Sequence, residues 1–131
     1  MASKHILIID DDAQIRRLYG GKLAASGYEV IYAADGDEGR EVARRMQPDL
    51  VLLDIHMPGN DGYVIARRLH NEPLTKDIPI VFLTNEDLTP EAVKAVKELG
   101  VTEYIHKSVT PGELAKRVKK ILKTLKAGKS S

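Results

Sequence analysis

The stretch KHILIIDDDAQIRRL, Lys4 to Leu18, decides the fold. Its aliphatic run Ile6–Ile9 is unbroken by polar residues, the pattern of a strand buried on both faces. The run stops at Asp10, Asp11 and Asp12, and a helix-forming segment follows. Adjacent carboxylates repel one another, so three of them at the mouth of a core require a compensating charge.

Outward from this stretch the same alternation recurs. Apolar runs stand at Val30–Ala33, Leu50–Leu53 and Ile80–Leu83, with a weaker one at Tyr104–His106. Between them lie segments of helical spacing, such as Leu114, Val118, Ile121, Leu122 and Leu125, whose offsets of three and four build one apolar face. About five rounds of strand and helix predict an α/β domain, a doubly wound five-stranded parallel sheet with helices on both faces. Gly27, Gly36 and Gly100 punctuate the segments, and TPEA and TPGE each offer Thr as N-cap with Pro at the first helical position. Thr110 and Glu113 form a capping box. Asp12 reads as the N-cap of the first helix, and Asp61 with Gly62 as the start of the third or its turn. Gly20 and Gly21 fall inside the first helix at about 1 kcal/mol each relative to Ala, so it is expected to fray or bend unless close packing needs the missing side chains.

The 131 residues make one domain, which buries about two-thirds of the surface of its unfolded chain. It is expected to span 1–126, with 127–131 as a flexible tail. Cysteine is absent, which excludes thiol chemistry and suits a reducing compartment. No apolar run approaches the ~20 residues of a membrane span. The chain therefore reads as soluble and cytoplasmic. The formal charge is +1; residues 111–131 hold seven Lys/Arg and one Glu (+6), which leaves −5 for the remainder. No aromatic residues interleave that basic end, so it reads as a solvated helix face rather than a nucleic-acid surface. A phosphate-binding G-x-x-x-x-G-K-[ST] loop is absent, which removes support for an ATPase or GTPase.

In a sheet of this kind functional groups collect beyond the carboxyl ends of the strands. Those ends name Asp10, Asp11, Asp54, Thr84 and Lys107. Three carboxylates, a hydroxyl and an ammonium are thus expected in one shallow cleft. A divalent cation would relieve the repulsion. All-oxygen ligands favour Mg²⁺, with Mn²⁺ as the alternative, over zinc. His5, His70 and His106 read as surface or satisfied residues, not ligands.

The segments ILIIDDDAQIRRL, PDLVLLDIHMPGNDG, PIVFLT and EYIHK occur in that order and closely resemble the receiver domain of two-component response regulators, the chemotaxis regulator among them. The resemblance runs from about Lys4 to Leu125. It implies the flavodoxin-like strand order 2-1-3-4-5. It implies Asp54 as the acceptor of a phosphoryl group from a histidine kinase or histidine phosphotransfer protein, and a chain that catalyses only its own phosphorylation and dephosphorylation. Asp11 and Asp54 correspond to direct Mg²⁺ ligands, Asp10 to a ligand through water, and His56 to a ligand through its backbone carbonyl. Lys107 and Thr84 correspond to the groups that meet the phosphoryl oxygens, and Tyr104 to the aromatic that turns inward when Thr84 moves. A half-buried aromatic on an edge strand is the other reading of Tyr104. A downstream effector is expected on roughly residues 89–126, with the chain a monomer or weak homodimer that makes no direct nucleic-acid contact. Because nothing follows Ser131, the expectation is a single-domain shuttle or a receiver cut from a longer regulator.

Two positions depart from the family pattern. Asn85 stands where receivers place a small residue after Thr84, and together with His56 and Glu86 it is expected to flank the path of small donors and water to Asp54. Ser108 replaces the proline that usually follows the lysine. A cis bond before a non-proline residue costs ~2.5–4 kcal/mol, so a trans peptide is expected there. Two rival classes stand beside this reading. A haloacid-dehalogenase-type phosphatase is disfavoured by Gln14, where its motif needs Thr or Val, and by a chain too short for the usual cap domain. A degenerate receiver acting as a phosphate-independent interaction module would have lost Asp54, Asp11 or Lys107, and all three are present.

Overall fold

Ile6–Ile9 lie at the centre of the sheet and are fully buried in the computed structural model, which describes residues 3–129. The elements follow in the order β1 (His5–Ile9), α1 (Ala13–Ala25), β2 (Glu29–Ala33), α2 (Gly36–Met46), β3 (Leu50–Asp54), β4 (His56–Met57), β5 (Asn60–Asp61), α3 (Gly62–Asn71), β6 (Ile80–Thr84), α4 (Pro90–Lys97), β7 (Val101–His106) and α5 (Pro111–Lys129). The main sheet has the order β2-β1-β3-β6-β7 with every pairing parallel. Setting aside the short β4–β5 hairpin, this is the predicted 2-1-3-4-5 arrangement.

The unbroken apolar runs are explained by two core layers. Leu7, Ile9, Val51, Leu53 and Phe82 face α2, α3 and α4, whereas Ile6, Ile8, Leu50, Leu52 and Val81 face α1 and α5. Burial of both strand faces leaves no polar position until the strand ends, and that is where the charged groups appear. The register fixes their neighbours: Ile9 pairs with Ala33 and Leu53, and Asp54 pairs with Leu83.

Helix starts follow their caps. Asp12 accepts from the N–H groups of Gln14 and Ile15, Asp61 from Tyr63, Thr89 from Ala92 and Thr110 from Glu113. Helix α1 is continuous through both glycines. A Cβ on Gly20 would overlap the ring of Tyr32, which would have to swing aside, whereas a Cβ on Gly21 would meet nothing.

One expectation is corrected, and one element is new. Strand β7 begins at Val101 rather than Tyr104; it is an edge strand, and the polar Thr102 and Glu103 disguise its start. The β4–β5 hairpin, which pairs His56 with Asp61 and Met57 with Asn60, was not anticipated because two-residue strands carry no readable period. Helix α5 is continuous through Lys129, and no proline interrupts its lysine-rich last turns. The rest of the expected tail, Ser130 and Ser131, lies outside the described residues.

Candidate functional site

Strands β1 and β3 are neighbours, so their carboxyl ends bring Asp10 beside Asp54. Asp10 is fully buried. Its Oδ1 accepts from the Asp12 N–H at 2.9 Å, and its backbone carbonyl accepts from Arg16 Nη1 at 2.6 Å. Asp10 Oδ2 is also buried, and the group it faces is the Lys107 ammonium, with Nζ 3.0 Å away. Asp54, 3% exposed, accepts from the His56 N–H at 3.2 Å and has Oδ1 3.2 Å from the same ammonium. Asp11 is exposed, yet one carboxylate oxygen from each of Asp10, Asp11 and Asp54 lies within 4.8 Å of the others. This is the only such group of potential ligands among the described residues.

Lys107 reaches the acids because β7 delivers it. Its N–H donates to the Thr84 carbonyl at 2.7 Å, one step beyond the pairing of His106 with Thr84. Thr84 is buried, and its hydroxyl oxygen accepts from the Glu86 N–H at 3.0 Å, which leaves the hydroxyl proton to donate elsewhere. The five residues named by the strand ends therefore meet at one edge of the sheet.

Burial and then the Asp10 charge raise the Asp54 carboxyl above its ordinary range, and Lys107 offsets them only in part. For Lys107, burial pulls downward, but Asp10 and Asp54 together outweigh it and hold the ammonium above its usual value. One ammonium among three carboxylates leaves excess negative charge. A hard dication fits that excess and the all-oxygen donor set.

The rim of the cleft is polar and open. His56, Asn85 and Glu86 are all exposed, and His56 Nε2 stands 3.5 Å from Glu86 Oε1, a contact that becomes an ion pair when the imidazole is protonated. Tyr104 is half-buried on β7 opposite Phe82, beside a surface groove of about 390 Å³ bounded also by Asp87, Lys97 and Arg117. The Lys107–Ser108 peptide is trans, as expected. His106 Nδ1 accepts from the Ser108 N–H at 3.1 Å, but His70 departs from the satisfied reading: its Nδ1 is buried against Gly100 without a hydrogen-bond partner.

Two site residues were missed in the sequence. Arg16 holds the Asp10 carbonyl, and the hydroxyl of Tyr19 reaches the carbonyls of Lys107 and Val109. Their signal was the stepping of Asp12, Arg16, Tyr19 and Leu23 by four, three and four along one side of α1.

Known proteins share this arrangement. The family model of the response regulator receiver domain matches residues 6–119. The chain is 38% identical over 130 residues to the phosphate regulon transcriptional regulatory protein PhoB of Pseudomonas aeruginosa, covering 99% of this chain and 56% of that protein. It is also 38% identical over 131 residues to a probable transcriptional regulator, ycf27, of Porphyridium aerugineum, covering 100% of this chain and 53% of that one. The chain thus spans about half the length of these curated relatives. Among solved structures, the chemotaxis response regulator CheY4 of Vibrio cholerae superposes with a TM-score of 0.84 at 30% identity, covering 92% of this chain and 99% of that one. A putative response regulator from Chloroflexus aurantiacus gives 0.81 at 37% identity, covering 92% and 98%.

Proposed function

The chain belongs to the response regulator receiver domain family, and we propose that it takes a phosphoryl group onto Asp54 from a histidine kinase or a histidine phosphotransfer protein. The observation that carries the proposal is the buried Asp54 carboxylate at the end of a central strand, 3.2 Å from Lys107 and grouped with Asp10 and Asp11. A carboxylate oxygen of Asp54 attacks phosphorus; the bond from phosphorus to the imidazole nitrogen breaks, and an acyl phosphate forms on Asp54. Asp10, Asp11 and Asp54, with the His56 carbonyl, would hold Mg²⁺ or Mn²⁺, which supplies charge neutralisation at the phosphoryl oxygens. Lys107 supplies a second positive charge to the same oxygens. The Thr84 proton hydrogen-bonds the new phosphoryl group, a bond that exists only after transfer and so favours one conformation over another. Tyr104, with the groove at its side, is the element that follows Thr84 and alters the surface of α4, β7 and α5 read by a downstream effector. On this reading the chain works in the cytoplasm and catalyses only the phosphorylation and dephosphorylation of its own aspartate.

The direct test is incubation with Mg²⁺ and acetyl phosphate. The expected result is a gain of one phosphoryl group in the intact mass, with borohydride trapping and peptide mapping locating it at Asp54. A chain that stays unlabelled by acetyl phosphate and by a panel of histidine kinases would instead be a phosphate-independent interaction module.

Two further outcomes follow from the site. Because Mg²⁺ binds the folded acid group and not the unfolded chain, millimolar Mg²⁺ is expected to raise the unfolding temperature, and Asp11→Ala to remove most of that rise. A thermal-shift titration of both proteins checks it. At the rim, Asn85→Ala is expected to speed labelling by acetyl phosphate severalfold while changing transfer from a docked kinase less, since the kinase orients its own donor. Parallel transfer rates decide it; equal or slower small-donor labelling would make Asn85 a hydrogen-bond donor to the phosphoryl oxygens and not a gate.

A further inference from the structure

We infer that the Tyr19 hydroxyl is a positioning group for Lys107, tying the loop behind this lysine to helix α1. The inference rests on the phosphoacceptor reading above. Tyr19 is 2% exposed, in the layer between the sheet and helices α1 and α5. Its hydroxyl lies 3.0 Å from the carbonyl oxygen of Lys107 and 2.9 Å from that of Val109. A phenol has one proton and both carbonyls only accept, so a single O–H sits in the fork between two peptide oxygens. Burial, with smaller contributions from Asp10 and Glu113, raises the titration of this hydroxyl against the opposing effect of Lys107, so it remains a donor.

The Val109 side chain packs against the same layer, and the other hydrogen bonds of residues 107–109 come from the two strands that end there. The Lys107 N–H donates to the Thr84 carbonyl, the Val109 N–H to the His106 carbonyl at 3.2 Å, and the Ser108 N–H to His106 Nδ1 at 3.1 Å. Among the described residues, Tyr19 supplies the hydrogen bonds that join this loop to a helix. Ser108 itself offers no ring to fix the backbone after Lys107, and its peptide is trans.

Helix α1 is referenced to the acids at its other end. Its N-cap, Asp12, donates its N–H to Asp10 Oδ1 at 2.9 Å, and Arg16, one turn on, holds the Asp10 carbonyl at 2.6 Å. One helix therefore locates both the acid from β1 and the loop that carries the ammonium. The Nζ distances of 3.0 Å to Asp10 and 3.2 Å to Asp54 depend on where the Lys107 backbone stands. Without the Tyr19 proton the two carbonyls lose their shared donor, the loop relaxes from α1, and the ammonium samples positions away from the transferring group.

The test compares Tyr19→Phe with Tyr28→Phe, whose ring packs against the same layer. Labelling by acetyl phosphate in saturating Mg²⁺ is expected to slow roughly tenfold or more in Y19F and to stay unchanged in Y28F. The Mg²⁺ midpoint of the thermal shift is expected to stay within about twofold, since the ligands are untouched, whereas general loosening of the fold would move it. In a Lys107→Ala background, adding Y19F is expected to cost nothing more, because Tyr19 acts through Lys107. Incorporation of p-aminophenylalanine at position 19 restores a donor and is expected to recover the rate. Wild-type labelling by Y19F, or an undiminished Y19F loss in the Lys107→Ala background, would overturn the inference. If Y19F does not fold, the p-aminophenylalanine chain decides: a wild-type rate supports the role and a tenfold loss overturns it. A wild-type chain that no donor labels overturns the phosphoacceptor reading together with this one, whereas a labelled wild type with an unaffected Y19F overturns the Tyr19 role alone.

Discussion

Asp54→Asn is expected to abolish phosphoryl labelling while making the metal-free protein more stable at neutral pH. The loss of labelling follows from chemistry: an amide oxygen is a far weaker nucleophile than a carboxylate, and Asp10 is already committed to the Asp12 N–H and to Lys107. The gain in stability follows from electrostatics. The folded Asp54 carboxyl titrates above its ordinary range because of burial and then Asp10, despite Lys107. A carboxyl raised on folding costs nothing while both states are protonated, and its penalty appears as pH climbs through the interval between the unfolded and folded values. The neutral amide of the variant carries no such penalty, and its oxygen can still accept the His56 N–H. The stability difference between variant and wild type, measured by urea unfolding in a chelator, is therefore expected to widen from acid to neutral pH. The widening is expected to shrink when Mg²⁺ is restored, because the metal stabilises only the wild-type acid group. A variant that labels like the wild type would remove Asp54 as the acceptor, and one less stable than the wild type at pH 7 without metal would mean that its pairing with Lys107 outweighs burial.

This opposition between function and stability is why the site could be seen in the sequence. Polar groups that end fully buried runs are costly to desolvate, so Asp10, Asp54 and Thr84 stood out against Ile6–Ile9, Leu50–Leu53 and Ile80–Leu83. Lys107 was legible only by its place after the last strand. What stayed hidden has a physical reason in each case. The start of β7 was masked by Thr102 and Glu103, which an edge strand tolerates, and Arg117 of α5 pairs with Glu103. Tyr19 drew no reading because its partners are backbone carbonyls 88 and 90 residues away, and main-chain acceptors leave no trace in side-chain patterns. His70 read as satisfied because no pattern announces a buried nitrogen without a partner. Gly20 could be recognised as out of place in a helix, but the ring of Tyr32 beside it could not.

Gly62→Ala is expected to cost more stability than the same change at Gly20 or Gly39, where only side chains stand in the way. Gly62 opens α3 beside the end of the strand that carries Asp54, and its N–H donates to the Ile55 carbonyl at 2.8 Å. A Cβ at this position would lie 2.6 Å from Ile55 Cα and 2.7 Å from the Asp54 carbonyl oxygen. These are backbone atoms of the central sheet and the residue after it, so no side chain can swing away to make room. Relief requires the start of α3 to move, which strains the Asp61 cap on Tyr63, or the Asp54–Ile55 peptide to move, which displaces Asp54. Overpacking of a core typically costs about 1–3 kcal/mol, and a rigid backbone neighbour puts this case at the upper end, about 3 kcal/mol. For a domain of this size that corresponds to a fall of roughly 10 °C in unfolding temperature. Labelling of Asp54 is expected to slow as well, since both ways of relieving the clash disturb the segment that carries it. Gly21→Ala supplies the opposite sign from the same chemical change. Nothing lies within 4 Å of a Cβ there, the site is exposed in mid-helix, and the substitution is expected to stabilise by about 1 kcal/mol through helix propensity alone. Thermal and urea unfolding of the two variants side by side separates close packing from propensity; equal shifts of either sign would mean that the approach of α3 to β3 is looser than these distances require.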